Sequence, residues 1–414
     1  MWRGVNVATF YLPRLATGIR LSPAAVPQGA AGAHVAWHAG AQQTLCGLCA
    51  LARNRLWVLR TQQRFIQVYS GEKFKPAREG AKTERRAKIR REHRGGAVRL
   101  SSVDVVGVGL NATDVFYLVP NYPALGGKVR IISSSVQPGG QVATALVACR
   151  RLGLTARYFG KVGDDEGGRI QLASLAREGV DARHTRVVPR TPNQVGVIVV
   201  DRSTGERTVF WDRHPRLALR ASELSRDAIV SARALHLDGC DVAACRVAAR
   251  WARAAGIPVV ADLDTVYSKI ENLLPLVDYL VASTGFLLAL ARVKDPFRAL
   301  GLVAREYHNP AVGMTLGENG ALLLWRGKFI YSPGFVVEAV DTTGAGDVFH
   351  GAFVYGLLAG WEMPRILDFS NAMAGLNCMA LGARGGIKSR SEAELLMRRG
   401  PRYVNRAYVV SRRR

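Results

Sequence analysis

The residues best equipped for chemistry form one run near the C-terminal end, Asp341-Thr342-Thr343-Gly344-Ala345-Gly346-Asp347-Val348-Phe349-His350-Gly351. Two glycines one residue apart stand between two acids, and the apolar segment 348–358 that follows has the composition of a buried helix. A Gly-Ala-Gly turn at a helix start lets backbone N–H groups converge, and the positive end of the helix dipole adds to the same point. The product is an anion nest. An acid beside bound phosphate is repulsive, so Asp347 has a chemical use. It is placed to take the proton of a hydroxyl that attacks a phosphoryl group. A tight strand–helix turn with a capping Asp would account for the residues singly, but not for two glycines, two threonines and two acids together. The chain contains neither a P-loop G-x-x-x-x-G-K-S/T nor a protein-kinase catalytic-loop set, so phosphate chemistry here rests on residues 344–347.

A nest needs a rigid frame. The run 335–340 reads as the strand before it. Upstream, strand-like runs at 234–237, 257–261, 279–282 and 311–316 alternate with helical stretches such as 242–255. That alternation predicts an α/β fold, a mostly parallel sheet with helices on both faces. Ligands in such folds bind at the carboxyl ends of the strands, where Asp238, Asp262, Asp264, Thr315 and Asp341 fall. The body opens with a buried-strand run at 103–109, and Gly139-Gly140 opens an apolar helix over 141–152. Short strands at 115–119 and 128–136, and a hairpin of 195–201 with 207–212, do not fit the alternation. They are expected to form a small separate sheet, a lid over the site. A second long helix is expected over 363–381, stopped by Gly382-Ala383-Arg384-Gly385-Gly386. Residues 107–112 match the dinucleotide pattern G-x-G-x-x-A, but a strand and two prolines follow where the required helix should be, so that reading fails.

The net charge of +25 suggests a nucleic-acid binder until it is divided along the chain. Residues 1–100 carry 18 Lys or Arg against four Glu, and 398–414 carry seven Arg and no acid. The body between them is close to balanced, so nucleic acid is not an expected partner of the folded part. We read 1–100 as a basic, disordered extension without a catalytic role, of the kind an upstream translation start would add, and 398–414 as a basic tail. An organelle presequence shares the Arg-rich composition of the first segment. The six cysteines form no dense framework, and Cys46-Gly-Leu-Cys49 is a lone C-x-x-C, so reduced thiols in a cytoplasmic protein are expected. No run is long and apolar enough to predict a membrane span.

With these motifs in place, the chain resembles the ribokinase-like (PfkB) sugar kinases over about residues 103–397. Asp341-Thr342-Thr343-Gly344-Ala345-Gly346-Asp347 resembles their C-terminal signature, and Gly139-Gly140 with Thr144 and Ala145 their N-terminal one. Gly109-Leu110-Asn111-Ala112-Thr113-Asp114 resembles a first-strand segment ending in a sugar-binding Asp, and Thr315-Leu316-Gly317-Glu318-Asn319-Gly320 a nucleotide-side loop. The extended run through Val348-Phe349-His350-Gly351 is most similar to the fructokinase and sulfofructose kinase-like branch, which points to a ketose.

The resemblance implies a three-layer sandwich with a β-sheet lid, with lid segments at about 113–136 and 194–212. It implies transfer of the ATP γ-phosphate to a sugar hydroxyl, with magnesium bridging the phosphates. Asp347 would be the base, and Gly344, Ala345 and Gly346 the anion nest. Asp114, Gly139, Gly140 and Thr144 would hold the sugar, and Thr315, Gly317, Gly320 and Asn377 the nucleotide. It further implies a homodimer through the lid. Two positions depart from the pattern. Thr144 stands where Asn is usual, and Phe286 where an acid helps organise magnesium, which leaves the metal ligands unassigned. Lys128 and Arg207 could reach an anionic group on the sugar but are expected to be solvated lid charges, and His350 is expected to pack rather than react. The competing functions are a nucleoside kinase, for which Phe116, Tyr117 and Trp211 would stack on a base, and a binding protein with weak catalysis.

Overall fold

The chain divides into two units, Met1–Gly96 and Ala97–Arg414. The computed structural model describes residues 102–409, within the second unit. The expectations for 1–100, for the Cys46–Cys49 pair and for the last five residues lie outside the described residues.

The strands β1 (Val103–Val108), β2 (Ala112–Val119) and β3 (Ser133–Gly139) are followed by α1 (Gln141–Arg151), β4 (Ala156–Gly163), α2 (Glu166–Arg177), β5 (Asp181–Val188), β6 (Val195–Asp201) and β7 (Arg207–Asp212). A short helix, α3 (Arg226–Val230), leads into β8 (Ala232–Leu237), α4 (Val242–Ala254), β9 (Val259–Leu263), β10 (Tyr279–Ser283), α5 (Thr284–Ala291), α6 (Pro296–Tyr307) and β11 (Ala311–Thr315). β12 (Ala321–Trp325), β13 (Lys328–Ser332) and the two-residue β14 (Gly334–Phe335) precede α7 (Ala345–Leu358), α8 (Met363–Cys378), α9 (Arg390–Arg399) and β15 (Arg402–Tyr403).

Nine strands form the main sheet in the order β13-β12-β11-β10-β9-β8-β1-β4-β5. All pairings from β11 to β5 are parallel, and the β11–β12–β13 edge is antiparallel. The central strands are near-continuous apolar runs because both faces are covered. Val106 and Val108 join a core with α4, α5 and α6, whereas Val105 joins a second core with α1, α7 and α8. This is the expected three-layer α/β sandwich.

The lid is a four-stranded sheet, β3-β2-β6-β7, whose middle pair β2–β6 is parallel and whose outer pairs are antiparallel. Its own core is small: Phe116, Ile198 and Val200, with Leu118 and Leu381 against them. Three such side chains supply about 5–9 kcal/mol of transfer free energy, which offsets the ordering cost of only a few residues. The lid therefore depends on its hydrogen bonds to the body for its position.

Several expectations change. The second lid strand starts at Ser133 rather than 128, and residues 121–132 are irregular. Strand β5 and the β12–β13 hairpin were not expected. The strand expected over 335–340 shrinks to Gly334–Phe335. Beyond it the amides are taken elsewhere: Val336 N–H donates to Pro401 O, and Val340 and Asp341 N–H both donate to Cys378 O at the end of α8. That helix stops at Cys378, three residues before the expected end. Among the described residues no helix is long and apolar enough to cross a membrane.

Candidate active site

A cleft of about 1210 Å³ lies where the carboxyl ends of the parallel strands meet the lid. The main sheet delivers Asp262 and Asp264 at the end of β9, Ser283 at the end of β10 and Thr315 at the end of β11, and all four line the cleft. The lid delivers Asp114 from β2 and Arg207 and Trp211 from β7. Residues 342–347 close one wall.

The nest is built by its own acid. Asp341 is fully buried, and its Oδ1 accepts from Thr343 N–H at 2.9 Å and Thr343 Oγ1 at 2.7 Å. Its Oδ2 accepts from Gly382 N–H at 2.8 Å, so one carboxylate ties the turn to the loop after α8. Gly344 caps α7 with φ +76°, and a Cβ there would meet the carbonyl of Ala383; no other residue fits. First-turn amides have no carbonyl four residues earlier in the helix. Those of Gly346 and Asp347 are left for an anion, whereas Ala345 N–H leans on Thr342 O at 3.3 Å. Asp347, in the first turn of α7, is half-buried and faces the cleft. Burial, then Asp262 and Asp264, push its carboxyl well above the usual range; Arg207 pulls it back.

Asp114 is 6 % exposed and sits between Gly139 of β3 and Gly196 of β6. A Cβ at Gly139 would fall on its carboxyl, which is the physical need for that glycine. Burial pushes Asp114 up to about 7, opposed by the Arg384 guanidinium and reinforced by Asp341. Arg384 was read only as part of a helix stop. It is buried, and donates to Thr144 Oγ1 (3.2 Å), Ser174 Oγ (2.9 Å) and Gly139 O (2.8 Å). Burial pulls it down to about 10, so it remains a cation at neutral pH. An Arg between small residues next to an anion nest was the available signal.

Of the expected sugar-side residues, Asp114 and Gly140 line the cleft. Gly139 and Thr144 do not; the Thr144 hydroxyl is fully buried and spent on Arg384, so it supports the floor instead of facing a ligand. Of the nucleotide-side residues, Thr315, Gly317 and Gly320 line the cleft. Asn377 is buried behind the nest. Its Nδ2 donates to Thr343 O and Ala383 O, and its Oδ1 accepts from Gly386 N–H. It props the two loops that Asp341 joins. Lys128 is exposed in the irregular lid segment, outside the cleft lining.

Phe286 is 1 % exposed and packs into the core on the α4 side. Among the described residues no three acids, histidines or cysteines converge as a metal cage. The residues described here fit a divalent ion held chiefly by the nucleotide's phosphates and its own waters.

A turn with free first-turn amides, an acid in that turn and a second acid set between Gly139 and Gly196 meet at one cleft. The family model for pfkB family carbohydrate kinases matches residues 104–390. The chain belongs to that family. Among curated proteins it is similar to an ATP-dependent ribose-1-phosphate kinase from Halopiger xanaduensis, 29 % identical over 303 residues, covering 72 % of this chain and 99 % of the relative. A fructokinase from Escherichia coli is 27 % identical over 286 residues, covering 62 % and 91 %. The solved adenosine kinase from Sinorhizobium meliloti matches with TM-score 0.61 and 25 % identity, over 72 % of this chain and 99 % of that one. The Arabidopsis thaliana ribokinase complexed with ribose and ATP matches with TM-score 0.59 at 22 % identity, which bears on the fold alone. This carbohydrate kinase thus has ribokinases and fructokinases among its relatives, and they do not single out the fructokinase branch to which the motif leans.

Proposed function

We propose that this chain transfers the γ-phosphate of MgATP to a hydroxyl of a neutral monosaccharide, a ketose foremost. The observation that supports it is the meeting of Asp347, the 344–346 turn and Asp114 in one cleft. Asp114 accepts hydrogen bonds from the sugar. The γ-phosphate lies in the nest, with the nucleotide along Thr315, Gly317 and Gly320. The Asp347 carboxylate takes the hydroxyl proton as the new O–P bond forms, the bond from γ-phosphorus to the bridging oxygen breaks, and ADP leaves with that oxygen. Magnesium supplies charge neutralisation on the phosphates when bound. The nest amides act electrostatically, each worth about 3–4 kcal/mol in comparable oxyanion sites.

Charge placement supports a neutral sugar. The arginines lining the cleft, among the described residues, are Arg207 and Arg213, and no lysine lines it. Arg213 is committed to Asp241 through two hydrogen bonds of 3.0 and 2.8 Å. Arg207 donates to Thr342 Oγ1 at 2.9 Å, on the phosphate side. Neither is left for a second anionic group on the sugar. A nucleoside is the other reading. Trp211 lines the cleft, but Phe116 is buried in the lid core and Tyr117 lies outside the lining. A screen of hexoses, pentoses, ketoses, sugar phosphates and nucleosides with MgATP tests the proposal. Product only from sugar phosphates or nucleosides would reverse it.

Two further outcomes are expected. Arg207→Gln should lower kcat about tenfold or more with the sugar KM little changed, because it removes a cation that meets the transferring group; an unchanged kcat would remove Arg207 from that role. The sugar KM should rise as pH falls through about 7. Asp114 is raised to that value, and below it the protonated carboxyl accepts hydrogen bonds poorly. KM measured from pH 6 to 8.5 checks this, with Asp114→Asn expected to flatten the dependence.

We also propose a homodimer through the lid, supported by Val209, Phe210 and Trp211 exposed on edge strand β7. Sedimentation of wild type against Phe210→Lys tests it, and a monomeric wild type would refute it. A cytoplasmic location is supported by the free thiols of Cys149, Cys240, Cys245 and Cys378.

A further inference from the structure

His350, three residues after Asp347 on α7, is 1 % exposed and is ringed by acceptors. Its Nδ1 lies 2.7 Å from Gly346 O and 3.2 Å from Asp262 Oδ2. Its Nε2 lies 2.9 Å from Val281 O on β10. Neutral imidazole has one N–H and one bare nitrogen. Whichever tautomer is chosen, a lone pair would face a carbonyl oxygen within 3 Å. Protonation of both nitrogens satisfies all three oxygens.

We propose that His350 is held as an imidazolium with Asp262 as its buried counter-ion, and that this pair positions the anion nest and keeps Asp347 ionised. The inference rests on the kinase reading for its consequence, but not for the proton itself. The Gly346 carbonyl belongs to the turn whose amides face the cleft, so the ring fixes that peptide from behind. The pair also changes the charge seen by Asp347. Asp262 lines the same cleft and is among the groups that raise Asp347. An imidazolium at 3.2 Å makes the pair neutral, which removes Asp262 from the charges that oppose ionisation of Asp347, leaving chiefly burial and Asp264.

The groups around the ring fit this. On β8, His236 stacks on His350 with centroids 5.8 Å apart and planes at 27°, and neither of its nitrogens has a hydrogen-bond partner among the described residues. Burial, then the His350 charge, hold His236 at about 3, so it is a neutral ring against a charged one. On β9 and beyond it stand Asp262 and Asp264, at the end of β8 Asp238, and on α7 itself Asp347; all are acids. Burial, the largest influence, holds His350 below the ordinary imidazole value, against the upward pull of the Gly346 and Val281 carbonyls. Burial and Asp264 push Asp262 well up. The shared proton therefore has oxygens on both sides of the ring and a carboxyl that resists standing alone as an anion.

The test reads the proton directly. In full-length protein with ¹⁵N-labelled histidine, the His350 signals, assigned by their loss in His350→Gln, should show two protonated ring nitrogens at pH 7.5. A bare nitrogen overturns the proposal, whether or not any kinase substrate has been found. The kinetic arm uses the acid limb of kcat/KM against pH. His350→Gln cannot carry the charge and should move that limb up by about one unit, because Asp262 then stands as an anion beside Asp347. The double variant His350→Gln/Asp262→Asn removes both charges and should bring the limb back. A limb that stays put in the folded single variant, or one that the double variant fails to restore, would show a packing role only.

Discussion

Asp347→Asn is expected to lower turnover by about a hundred- to ten-thousandfold while MgATP still binds. The amide has the size of the carboxylate but cannot accept the hydroxyl proton. The nest is left intact, because its geometry comes from Asp341, Gly344 and Asn377 rather than from Asp347. Residual turnover then measures what positioning and the nest amides supply alone. The relevant measurements are kcat in a coupled ADP assay and nucleotide affinity by calorimetry on the same preparation. Near-normal kcat would end the assignment of Asp347 as base. Lost nucleotide affinity would mean that the substitution had disturbed the turn.

Arg384→Met is expected to cost about 3–5 kcal/mol of stability and to raise the sugar KM more than the MgATP KM. The guanidinium is buried and bridges three elements: Thr144 on α1, Ser174 on α2 and Gly139 at the end of β3. Its loss leaves those acceptors without a donor and leaves the buried Asp114 carboxyl without the cation that offsets its burial. A carboxyl so placed stays protonated to higher pH and is a poorer partner for sugar hydroxyls. The thermal midpoint and both KM values decide it. Unchanged stability would mean that water takes over the guanidinium's hydrogen bonds.

The parts of this fold that were legible in the sequence are those dictated by local chemistry. The nest was readable because positive φ at Gly344 and free first-turn amides demand particular residues in sequence. The sheet centre was readable because β1, β8 and β9 are buried on both faces. Strand β5 was not, since Asp181–Val188 is largely polar and half-exposed; pairing with β4 and the Arg157–Asp181 ion pair at 2.8 Å make it a strand. Residues 336–340 have a strand's composition, but α8 and Pro401 claim their amides. The places that Arg384, Thr144 and Asn377 take were not legible in the sequence, for one reason. Whether a polar side chain faces a ligand or props a loop depends on contacts more than 200 residues apart in the case of Arg384 and Thr144.

Phe286 has a consequence for ion selectivity. With an aromatic ring turned into the core at that place, no side chain there grades the ionic radius or hardness of the cation. The triphosphate and its water shell are then expected to make that choice. Manganese and cobalt should then replace magnesium with little loss, and the enzyme's response to cellular ion levels should follow the nucleotide complex rather than any affinity of its own.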